Sequence, residues 1–171
     1  MTDTPKIYVA CLAAYNGGRL HGAWIDAAQD LENIQAEINT MLKSSPEPNA
    51  EEFAIHDYEG FEGVCIEEYE SLDTVHGLAL FIEEHGELGA KVLEHHDRDR
   101  DAAKQQLEDG YSGQWTSVAD YVQDLTEQTT EIPEHLAYYI DYDRMARDME
   151  LNGEIFTVET GHQDVHIFHV L

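Results

Sequence analysis

Asp97, Asp99 and Asp101 alternate along the chain and Glu108 follows, the spacing at which a calcium loop sets ligands at positions 1, 3, 5 and 12. Position 6 of such a loop needs a glycine for its sharp turn, and Ala102 stands there. Arg98, Arg100 and Lys104 lie inside the loop and would repel the ion, so a solvated, salt-bridged helix start is the better reading. Among the ten histidines, His95 and His96 are adjacent and point to different faces of a helix, while His162 and His166 sit where a hairpin is expected. Neither they nor Cys11 and Cys65 close a four-ligand set, so no metal and no cofactor is expected. The two cysteines are too few for a disulfide framework and read as buried thiols in a reduced cytoplasm. Carboxylate pairs such as Glu67–Glu68 and Glu83–Glu84 have the makings of a general acid and base, but in so acidic a chain a pair carries little information. A phosphate-binding glycine loop, a Gly-x-Ser-x-Gly elbow and a His-Glu-x-x-His motif are all absent, and the chain does not read as an enzyme. Trp24, Trp115 and the nine tyrosines read as core anchors, since no basic groove accompanies them to make a base-stacking platform.

What remains is charge. The 171 residues include 36 Asp or Glu against 9 Lys or Arg, a net charge of −27. An apolar share of 42% is enough for a core, which argues against disorder and for one ordinary domain or a few small ones. No apolar run is long enough to span a bilayer, and no signal peptide is evident, which points to the cytoplasm. Binding to nucleic acid or to an anionic membrane requires a cationic surface that this chain lacks, so its partner is expected to be cationic. The acid is not a tail. Residues 44–90 hold 13 Asp or Glu and residues 105–143 hold 9 more, with no Lys or Arg in either stretch. The acids alternate with apolar residues in foldable patterns, which places them on the outer faces of structured elements. Salt adaptation of an ordinary protein, or an acidic adaptor for another cationic partner, would also account for −27.

The elements that carry these residues are α+β. Lys6–Ala13 reads as a strand, Asn16-Gly17-Gly18 as a break, Leu20–Ile25 as a second strand and residues 30–43 as a helix capped by Asp26 or Asp30. After the loop Ser44–Asn49, Phe53–Glu59 reads as a third strand. Ser71 caps a helix to about Glu84 that His85-Gly86 ends, and Leu88–His96 and Asp101–Glu108 follow as short helices. Ser117 with Asp120 caps a helix to about Thr126, Pro133 suits a helix start, and Asp141 caps a helix to Leu151. Ile155–Val158 and Val165–Val170 read as a hairpin. The organisation is then three small modules: 1–62, sheet plus helix; 63–105, helical; 106–171, mixed with the hairpin. None is large enough for a substantial core, so an elongated molecule is expected.

Five ordered blocks carry a resemblance over nearly the whole chain: PKIYVACLAAYNGGRLHGAWIDA (Pro5–Ala27), FAIHDYEGFEG (Phe53–Gly63), EEYESLDTVHGLALFIEEHGE (Glu67–Glu87), LEDGYSGQWTSVADYVQDL (Leu107–Leu125) and YIDYDRMARDMELNGEIFTVE (Tyr139–Glu159). Together they resemble the ArdA family of antirestriction proteins. The resemblance implies a DNA mimic, carried by mobile genetic elements, that blocks Type I restriction-modification enzymes by occupying their DNA channel. It also implies an elongated, curved homodimer of three small domains per subunit. The block Asp109–Val122 resembles the family's antirestriction motif, near the subunit contact, and carries over Tyr111, Gly113, Trp115, Ser117, Asp120 and Tyr121. Gln114 stands where the family commonly has an acid. From base-free stretches and outward helical positions, the carboxylates expected to stand in for phosphates are Glu59, Glu62, Glu67, Glu68, Glu70, Asp73, Glu83, Glu84, Glu87, Glu108, Asp109, Asp120, Asp124 and Glu127.

Overall fold

The computed structural model describes residues 3–171, and contacts divide the chain into two compact units, Met1–Arg100 and Asp101–Leu171. Each is α+β and built on a three-stranded antiparallel sheet.

In the first unit β1 (Lys6–Cys11) lies between β2 (Gly22–Asp26) and β3 (Phe53–Glu59). Ile7 pairs with Ile25 and Tyr8 with Trp24, so Ile7, Val9 and Cys11 fall on one buried face and Tyr8 on the other. The strand stops at Cys11, two residues before the expected Ala13. Leu12, Ala13 and Ala14 are good helix formers, and Leu12–Asn16 coils into a short helix, α1. β2 begins at Gly22, not Leu20, which is 88% exposed; a Cβ at Gly22 would lie 2.5 Å from the Val9 carbonyl oxygen, so the close pairing with β1 there needs glycine. α2 (Leu31–Lys43) lays Ile34, Ile38 and Met41 into the core. Asp30 is its N-cap residue by position but makes no side-chain cap hydrogen bond.

The next helix, α3 (Leu72–His95), starts where Ser71 Oγ accepts from the Thr74 amide at 3.2 Å. Its backbone leaves helical geometry at Gly86 (φ 61°, ψ −154°), a conformation that glycine adopts at least cost, so the element is two helical segments joined at the expected break. Val75, Leu78, Ala79, Phe81 and Ile82 are buried before the break, and Ala90, Val92 and Leu93 after it. Cys11 is buried, with Sγ 3.3 Å from Ser45 Oγ, but Cys65 is exposed, against expectation: Val64 and Ile66 on either side turn inward and leave it facing solvent.

The second unit holds α4 (Arg100–Asp109) from its second residue on, then β4 (Tyr111–Trp115), α5 (Val118–Thr129), a 3-10 helix (Glu134–Tyr139), α6 (Tyr142–Leu151) and the hairpin β5 (Ile155–Gly161) and β6 (Asp164–His169). The sheet order is β4-β6-β5. Tyr121, Val122, Ala146, Ile155, Val165 and Ile167 form the core, with Trp115, Leu125, Met145 and Met149 packed around it. Ser117 Oγ accepts from the Asp120 amide at 3.1 Å and Asp141 Oδ1 from the Arg144 amide at 3.0 Å, so both expected caps are present. β4 is absent from the sequence reading. Gly113 (φ 97°) and a shift of register between Tyr111 and Gln114 make a bulge that interrupts the period of two. Pro133 starts a single 3-10 stretch in place of an α-helix. Among the described residues no helix is long and apolar enough to cross a membrane.

Candidate functional site

The fold places every carboxylate at or near the surface. None of the 36 Asp and Glu is buried, and only Glu47, Glu62, Glu70, Asp124 and Asp164 are even partly covered. Burying an unpaired carboxylate costs several kcal/mol, roughly, so with nine cations available the core is closed to them. Of the residues expected to stand in for phosphates, Glu59, Glu67, Glu68, Asp73, Glu83, Glu84, Glu87, Glu108, Asp109, Asp120 and Glu127 are exposed. Glu70 differs from them: its Oε2 lies 2.7 Å from Arg98 Nη2, in a pair largely shielded from solvent, so its charge is spent within the fold. Glu59 meets Lys6 at 3.0 Å, Glu87 meets Lys91 at 3.6 Å and Glu108 meets Lys104 at 3.9 Å. These pairs are open to water, are worth about 0–1 kcal/mol, and leave the carboxylates available to a stronger cationic partner. Glu62 is held in the left-handed region (φ 51°) in the turn that follows β3.

On α5, Asp120, Asp124 and Glu127 recur at i, i+4 and i+7 and form one acidic stripe. Asp124 Oδ2 accepts from Gln128 Nε2 at 2.7 Å and Glu127 Oε1 from Gln123 Nε2 at 2.9 Å, contacts that steady the side chains without neutralising them. At a rise of about 1.5 Å per residue the stripe carries one charge per roughly 5 Å. Duplex DNA carries one per about 1.7 Å, so a single helix supplies about a third of that density and several acidic faces must act together.

Tyr111, Gly113, Trp115, Ser117, Asp120 and Tyr121 come together over β4 and the start of α5, and most of them hold the second unit in shape. Trp115 Nε1 donates to the Ser112 carbonyl at 3.0 Å across the Gly113 bulge, and its ring meets Tyr121 edge-on at 5.4 Å. Tyr121 is buried, with its hydroxyl 2.6 Å from His169 Nε2. Tyr111, 40% exposed, sets its hydroxyl 2.8 Å from Nδ1 of the buried His166. On the other side of that ring Nε2 lies 3.0 Å from Thr160 Oγ1, and Thr160 donates to Asp164 Oδ2 at 2.7 Å. Thr160 has a single proton and gives it to the carboxylate, so it accepts from Nε2–H; Nδ1 is then free to accept from Tyr111. The chain of donors therefore runs one way, Tyr111 to His166 to Thr160 to Asp164, and Gln114 Nε2 closes it by donating to Asp164 Oδ1. These bonds, Thr160's first, hold Asp164 below the usual carboxylate range, while burial, with the Asp164 charge adding to it, raises the Tyr111 phenol. A carboxylate at position 114 would face Asp164, so glutamine suits this place.

Sequence reasoning missed Thr160, Asp164 and His166, whose only signal is the pairing of β4 with β6. It also missed Gln106, buried in α4 with Nε2 donating to the His169 carbonyl at 2.6 Å. The aromatic residues divide, which corrects the expectation that they anchor the core: Tyr121 is buried, but Trp24 is 43% exposed, Tyr69 71%, Tyr139 84% and Tyr138 94%. The unburied rings lie on outer sheet faces and connecting segments, where the small cores of these units offer no room. Asp97 and Arg98 adopt positive φ (51° and 68°) just before α4, and Glu108 lies in the last turn of that helix. Among the described residues no group of three or more His, Cys, Asp or Glu is placed to hold a metal ion.

Comparison with curated proteins gives no match. The sequence model of the family described as antirestriction protein (ArdA) matches residues 7–164, a span that takes in nearly all of the first sheet, β4 and β5 of the second, the acidic helices and the whole Tyr111–Tyr121 segment, and that ends where β6 begins. The chain belongs to the ArdA antirestriction protein family.

Proposed function

We propose that this antirestriction protein is a DNA mimic that occupies the DNA-binding channel of a Type I restriction-modification enzyme and carries out no chemistry. The observation that carries the reading is the display of charge: 36 carboxylates, none buried, against nine cations. Carboxylates offer Arg and Lys the acceptor geometry that phosphates offer, and on folded elements they need no duplex to be bent. With −27 per chain, a homodimer would hold the charge of roughly 27 base pairs, or about 90 Å of duplex. The dimer contact is assigned to β4, whose Tyr111 stays partly exposed on an edge strand. The surface presents no base edges, so inhibition does not depend on the recognition sequence of the enzyme.

Binding to a purified Type I methyltransferase over a salt series tests this. Affinity is expected to fall steeply and linearly on logarithmic axes as salt rises. No binding at low salt, where electrostatic attraction is strongest, would refute the reading. A protein whose acid coat serves only salt tolerance would give that negative result.

A further inference from the structure

Two neighbouring aromatic rings in the second unit stand in water. Tyr138 is 94% and Tyr139 84% exposed, on a 3-10 helix that buries no residue, and Leu136 beside them is 46% exposed. The flanks of this segment are well built: the Leu136 amide donates to the Pro133 carbonyl at 2.9 Å, and Asp141 caps α6. Tyr142, three residues on, does pack against the core. The rings of Tyr138 and Tyr139 therefore contribute little to folding, and large exposed aromatic faces mark contact surfaces. Their surroundings say what they contact. Glu131, Glu134, Asp141 and Asp143 are all exposed, and no Lys or Arg occurs between Lys104 and Arg144. An anionic partner is repelled here and a neutral one gains nothing from the acids. A guanidinium is matched twice, stacking flat on a tyrosine while its fork of donors reaches a carboxylate; an ammonium stacks less well.

We infer that Tyr138 and Tyr139 form an arginine-binding face, with Glu131, Glu134, Asp141 and Asp143 as its anionic rim, and that this face contacts arginine side chains of the cationic partner. The inference deepens the mimicry reading by adding stacking surface to charge, much as bases add it to phosphates in DNA. Its test does not depend on the enzyme. Octa-arginine and octa-lysine peptides, equal in charge, are titrated against the full chain and against the Tyr138→Ala/Tyr139→Ala and Tyr138→Phe/Tyr139→Phe double variants. The full chain is expected to bind octa-arginine roughly tenfold more tightly than octa-lysine. The alanine pair loses that preference and keeps its octa-lysine affinity and its thermal midpoint, and the phenylalanine pair retains the preference. An absent preference, or one that survives the alanine pair, would overturn the inference. So would sedimentation showing that the alanine pair converts a dimer to monomer, which would assign the face to a second copy of the chain. Failure of the full chain to bind the methyltransferase, with the arginine preference intact, would count against the enzyme target and not against this face.

Discussion

Gln106 provides a demanding test of how the second unit is held together. It is 1% exposed, one of very few buried polar residues, and its Nε2 donates to the His169 carbonyl at 2.6 Å. The approach is so close that a Cβ on Gly110 would lie 1.9 Å from Gln106 Nε2 and 2.8 Å from the His169 oxygen. His169 in turn sends its amide to the Gly110 carbonyl at 2.8 Å and its ring to the Tyr121 hydroxyl. One amide thus ties α4 to the end of β6 next to the Tyr111–Tyr121 segment. Gln106→Met keeps volume and shape, opens no large cavity, and takes the buried Gln106 donor from the part-buried His169 carbonyl. Leaving such a group without its donor costs about 1–3 kcal/mol, so the variant should lose that much in urea unfolding monitored by far-UV circular dichroism. Gly110→Ala should lose at least as much, because the obstruction includes main-chain oxygen as well as a flexible amide. If Gln106→Met unfolds within about 0.5 kcal/mol of the parent, the ordinary scatter of a surface change, the argument for this tie is refuted.

Three further outcomes follow from the same structure. Trp115→Ala removes the ring that meets Tyr121 and spans the Gly113 bulge, and should weaken self-association in sedimentation equilibrium; unchanged self-association with lost inhibition would place the segment at the target contact instead. The Tyr111–Asp164 network gives stability two pH limits. The depressed Asp164 contributes above its ordinary 3.8 and loses that contribution as pH falls below it, while the raised Tyr111 contributes below 10.0 and loses it as pH rises further. Asp164→Asn should flatten the acid limb of the thermal midpoint against pH, and Tyr111→Phe the alkaline limb. Glu127→Gln alone should change affinity for the methyltransferase by less than about threefold, because one carboxylate contributes a small part of a shared field.

Much of the fold was legible because local chemistry and tertiary context agree in this chain. Phe53–Glu59 forms β3 as its pattern indicates, and Ser71, Ser117 and Asp141 each cap the helix they precede. Gly86 breaks α3 where glycine is the cheapest residue to place. β4 was hidden because its bulge adds an extra residue and places a glycine, Gly113, inside the strand, and both erase alternation in five residues. α1 was hidden because five residues make little more than one helical turn, too short for an apolar stripe to repeat. In the candidate site, exposure of the carboxylates follows from composition alone. The partners of Tyr111 and Tyr121 were not legible, since His166 lies 55 residues from Tyr111 and His169 lies 48 from Tyr121, and both reach them only through strand pairing. Aromatic exposure was misread because ring size signals a core residue only where the unit has core enough to cover it.

The most direct measurement is equilibrium competition for one channel. Labelled duplex DNA is bound to a Type I methyltransferase at low salt and displaced by the protein at several DNA concentrations. If the protein takes the place of the duplex, its apparent inhibition constant rises in proportion to the DNA present, and no complex holds both. An inhibition constant that stays flat as DNA increases, or a ternary complex of enzyme, duplex and protein, would contradict the account.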